Sequence, residues 1–150
     1  MNILFIDDQW PIDYSGKGLR ILNLVRRLKE RISFHFLYIK DGHRGEKESG
    51  LLDYFDSVSV LETNTNYSVR VRLRSLILLE PPDYAPWASK ATFRELSYKI
   101  NEIVRTKNIE LIQSFSFFAS RALFSHINLP KIWDVADSLY LNLSREMKSK

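Results

Sequence analysis

Two groups within the first twenty residues are of a type and spacing that could do chemistry. Asp7 and Asp8 close the apolar run Asn-Ile-Leu-Phe-Ile, and adjacent carboxylates there could hold a cation or serve a phosphoryl acceptor. Gly16 and Gly18 stand ahead of a helical pattern, with Lys17 and Arg20 beside them. Glycine lets backbone approach a ligand closely, and a helix start offers free N–H groups and a positive dipole end to an anion. The spacing is neither the Walker pattern nor G-x-G-x-x-G, since position 21 is Ile. Each group also has an ordinary reading: a strand end that faces water, and a glycine turn that leads the chain into a helix.

The acidic pair suggests a phospho-receiver, which also needs an aspartate at the tip of its third strand. Here that strand ends Val60-Leu61-Glu62-Thr63, and a loop over residues 9–18 separates the pair from the first helix. The pair is therefore read as a strand end, or as a device that orients the next loop by hydrogen bonds. His35 lies inside a strand pattern and reads as structural. His43 lies in a loop at a strand's carboxyl end and is a candidate ligand contact; His126 reads as a surface or helix-end residue. No His/Asp spacing supports a metal site, and the absence of cysteine excludes disulfides and thiolate ligation. Arg70, Arg72 and Arg74 form the densest basic cluster. It reads first as a solvated face and second as a contact with an anionic membrane or lipid-diphosphate acceptor. No nucleic-acid-binding module is recognisable.

The elements that must position these groups alternate between strand and helix. Apolar runs at 2–6, 32–39, 57–62, 109–113 and 131–135 read as five strands. Ile21, Leu24, Val25 and Leu28 share one helical face; Phe93, Leu96, Ile100 and Ile103 mark a longer helix opened by Pro86, with Asn108 as its left-handed stop. Residues 117–126 and those from Ser138 onward read as helices, and 67–82 is ambiguous with a lean to helix. Such alternation implies a three-layer Rossmann-like α/β domain, a mainly parallel sheet with helices on both faces. Ligands of such sheets sit outside the strands' carboxyl ends. That directs attention to residues 7–18, 40–45, 114–118 and 134–138.

At 150 residues, 45% hydrophobic and 27% charged, the chain fits one globular domain with a core. Its net charge of +4 favours an anionic partner only weakly. With no apolar run near membrane-span length and no basic leader with a cleavage site, the cytoplasm is the expected compartment.

The order of motifs resembles the N-terminal domain of family 4-like glycosyltransferases of the two-Rossmann-domain (GT-B) type, in a bacterial sugar-transferase subgroup. The resemblance rests on "SGKGLRILNLVRRLKERISFHFLYIKDG", "RLRSLILLEPPDYAPWASKATFRELSYKINEIV", "NIELIQSFSFFASRAL" and "LPKIWDVADSLYLNLSRE". It implies that residues 1–150 form an acceptor-side half whose donor-binding domain is absent from this chain, so that the isolated chain is inactive. It further implies a transferase of polysaccharide assembly that moves a sugar from a nucleotide-sugar donor to a glycan or lipid-linked acceptor, without a cofactor. Gly16, Lys17, Gly18 and Arg20 would then meet the donor phosphates. Asp137 and, second, Asp134 would be catalytic; Asp137 also reads as a helix N-cap. His43, Ser114 and Ser116 would face the acceptor. The alternative is a flavodoxin-like or receiver-like binding or interaction domain, complete in itself and without catalysis.

Overall fold

The structure is a computed structural model and describes residues 1–8, 10–11, 16–41, 53–63, 90–115 and 128–134. Its elements are β1 (Asn2–Asp7), α1 (Gly16–Leu28), β2 (Ser33–Asp41), β3 (Ser57–Thr63), α2 (Lys90–Thr106), β4 (Leu111–Ser114) and β5 (Lys131–Trp133). The five strands form one parallel sheet in the order β3-β2-β1-β4-β5. The Rossmann-like α/β fold expected from the alternation is the fold observed, with strand boundaries shifted by a residue or two. Residues 67–82, 117–126 and those from Ser138 onward lie outside the described residues, so the elements expected there are not described.

β1 is central and paired on both sides, Ile3 against Phe34 of β2 and Leu111 of β4. Its side chains alternate between two cores, as the period-2 geometry of a strand requires. Ile3 and Phe5 enter the layer that holds Ile21, Leu22 and Val25 of α1. Leu4 and Ile6 enter the layer that holds Leu96, Ile100 and Ile103 of α2. Burial on both faces explains why β1 and β2 read as continuous apolar runs.

The α1-side core is largely aromatic. The Phe5 ring lies 5.2 Å from Phe34 and 5.1 Å from Phe115, and Trp10 stands edge-on to Tyr38 at 4.9 Å. The α2-side core is aliphatic. α2 stops where expected: Asn108 has φ 50°, the left-handed conformation that asparagine tolerates better than most residues. Asn2 Nδ2 donates to the carbonyls of Lys107 at 2.9 Å and Asn108 at 3.3 Å, so a β1 side chain caps the end of α2.

Candidate functional site

The reversal in strand order falls between β1 and β4, where ligands of open α/β sheets bind beyond the carboxyl ends. Three features meet at that edge: the tip of β1, the first turn of α1, and the residues that leave β4 and β5.

Asp7, the last residue of β1, is fully buried. Lys17 Nζ, from the first turn of α1, donates to Asp7 Oδ1 at 2.9 Å, and the Asp8 backbone N–H donates to the same oxygen at 2.8 Å. Burial pushes the Asp7 carboxyl up to about 7; the Lys17 ammonium opposes this, and Asp8 adds to it. The two chemical groups of the N-terminal segment are therefore one unit: the acidic tip of β1 holds the lysine of the glycine segment. β3 cannot supply a receiver-type third carboxylate beside Asp7, because β2 lies between them.

The glycines also differ from expectation. Both were expected in a loop ahead of the helix, yet α1 begins at Gly16 and includes Gly18. The Lys17–Asp7 contact ties this turn to the sheet, and Gly18 is buried. Gly16 is exposed, and a Cβ there would meet nothing within 4 Å.

Beside this turn runs an open groove of about 590 Å³. One wall is α1: Gly16, Arg20, Asn23 and Arg27 at helical spacing, with Leu19 and Leu24 next to them. The other comprises Gln113 and Phe115 around the end of β4, and Asp134 just after β5. Backbone hydrogen bonds hold that wall in register: Phe115 N donates to Ile6 O and Asp134 N to Ser114 O, both at 2.9 Å. Arg20 Nη2 bonds Asp134 Oδ1 at 3.1 Å and joins the two walls.

Of the residues singled out from sequence, Gly16, Arg20 and Asp134 line this groove. Lys17 is turned to Asp7, because a buried carboxylate is the nearest strong acceptor. Ser114 is fully buried and, by the alternation of β4, falls with Ile112 on the α2 side of the sheet rather than among the groove residues. His43, Ser116, Asp137 and the Arg70, Arg72 and Arg74 cluster lie outside the described residues. His35 is structural, as read: its Nδ1 lies 2.8 Å from Ser57 Oγ on β3, and burial lowers its pKa. Sequence reading missed Asn23, Arg27, Gln113 and Phe115. The signal for the first two was present, since Arg20, Asn23 and Arg27 recur at helical spacing away from the Ile21–Val25 face. Among the described residues, no cluster of three His, Cys, Asp or Glu could hold a metal ion, and no helix is long and apolar enough to cross a membrane.

No family model and no curated protein matches this chain. It is similar to a solved protein of the universal stress protein family from Burkholderia pseudomallei, with TM-score 0.40 and 12% identity over 89% of this chain and 94% of that one. That likeness is too loose to transfer a site or an activity. The glycosyltransferase expectation is corrected: no family model of that kind matches the chain, and the solved protein named above is of another α/β family. With it go the sugar-transfer activity and the role in polysaccharide assembly. Alternating strands and helices with glycine and proline at the turns are features of α/β folds in general.

Proposed function

We propose that this chain is a ligand-binding domain without catalysis of its own, and that the α1–β4–β5 groove takes a phosphorylated small molecule. The observation that carries the reading is the groove's position at the strand-order reversal, with the Arg20 and Arg27 side chains on one wall. Guanidinium groups match phosphate oxygens in charge and fork geometry. The first turn of α1 adds its positive dipole end. Leu19, Leu24 and Phe115 offer apolar surface for a base or other ring. The reading requires neither a metal nor a cofactor, and it fits a cytoplasmic protein, where such ligands abound.

Titration calorimetry with ADP, UDP and pyrophosphate, and with adenosine as the uncharged control, tests it. The phosphorylated compounds bind and adenosine does not. Arg27→Ala weakens binding about fivefold or more, in line with loss of one charge-assisted hydrogen bond. Gly16→Ala keeps the fold, because its Cβ enters open space. Absence of heat with every phosphorylated compound defeats the reading.

A further inference from the structure

We infer that Asp134 is a built-in competitor for Arg20, a carboxylate that occupies the arginine until a ligand anion displaces it; this rests on the groove reading above. The pair spans the groove from α1 to the residue after β5, with 3.1 Å between Nη2 and Oδ1. Its two ends differ in freedom. Asp134 is held by its backbone, whose N–H donates to Ser114 O at 2.9 Å in continuation of the β4–β5 ladder. Its side chain is 23% exposed, whereas that of Arg20 is 48% exposed and sits on a long flexible stem. The arginine is the member that can turn away.

A phosphate entering the groove asks for the same guanidinium. Asp134 cannot follow Arg20 across, so an arriving anion either takes the guanidinium from it or shares the site against a like charge. Removing the Asp134 charge should therefore raise affinity. A half-exposed ion pair is worth little, so the expected gain is about two- to fivefold. The same charge makes an empty groove nearly neutral at this point, which limits capture of monovalent anions.

The experiment is calorimetric titration of ADP into the full 150-residue chain and into Asp134→Asn, Asp134→Glu, Arg20→Gln and the Asp134→Asn/Arg20→Gln pair. Asp134→Ser stands in should the asparagine variant fail to fold. Support is a two- to fivefold gain for Asp134→Asn, wild-type affinity for Asp134→Glu, and no gain from Asp134→Asn when Arg20 is glutamine. Unchanged or weaker binding by Asp134→Asn, with the wild type binding normally, overturns the inference and leaves the groove reading intact. A gain that persists without Arg20 also overturns it, since general charge repulsion would then be the cause. Failure of both wild type and Asp134→Asn to bind ADP, UDP or pyrophosphate overturns the inference together with the groove reading.

Discussion

At residue scale, the buried pair Asp7–Lys17 decides how the N-terminal segment works. A carboxylate removed from water is costly to ionise, and one cation at hydrogen-bond distance offsets part of that cost. The Asp7 pKa is raised to about 7 from an ordinary value of 3.8, so the folded state takes up a proton that the unfolded state releases. Its contribution to stability is thus fully present below about 3.8 and declines as pH rises through 7. Lys17→Met removes the compensating charge and makes ionised Asp7 costlier still. Urea unfolding should show a larger loss for Lys17→Met at pH 8, where wild-type Asp7 is mostly ionised, than at pH 5; the difference is at most about 1.4 kcal/mol, because the variant can keep Asp7 protonated. An equal loss at both pH values would assign Lys17 to packing instead.

At element scale, α2 illustrates how a helix end is set from two directions. Asn108 takes the left-handed conformation, and Asn2 on β1 donates to the carbonyls of Lys107 and Asn108. Alanine pays for φ 50° in Cβ strain, and glycine does not. Asn108→Ala is expected to lower stability by about 1 kcal/mol, and Asn108→Gly to change it by less than about half of that. Thermal unfolding of the two variants separates the conformational term from the loss of the asparagine side chain. The end of α2 was legible because left-handed asparagine is a local property. The Asn2 cap was not, because its partners lie more than 100 residues away.

At the scale of the whole molecule, β1 is the axis. It is the strand paired with both β2 and β4, and its side chains belong to both cores. β3 and β5 lie at the two ends of the strand order, and Ile132 and Trp133 of β5 remain 45% and 41% exposed. Stability should follow that order. Hydrogen exchange read by NMR is expected to be slowest at Leu4, Phe5 and Ile6 and faster at Ile132 and Trp133. Equal protection across the sheet would mean that it opens only as one unit.

The sequence alone determined the alternation of elements, the two-sided burial of β1 and β2, and the apolar faces of both helices. These follow from periodicity and composition, which are local. It also directed attention to the carboxyl ends of the strands, because that rule needs only the fold class. Only the tertiary structure decided that β3 lies two strands from β1, that Lys17 turns to Asp7, and that Arg20 reaches Asp134. Nothing local encodes those pairings: each depends on which chain ends the strand order brings together. "SGKGLR" therefore reads in sequence as a phosphate-binding segment, while in the fold its lysine closes on the β1 tip and its arginine spans the groove.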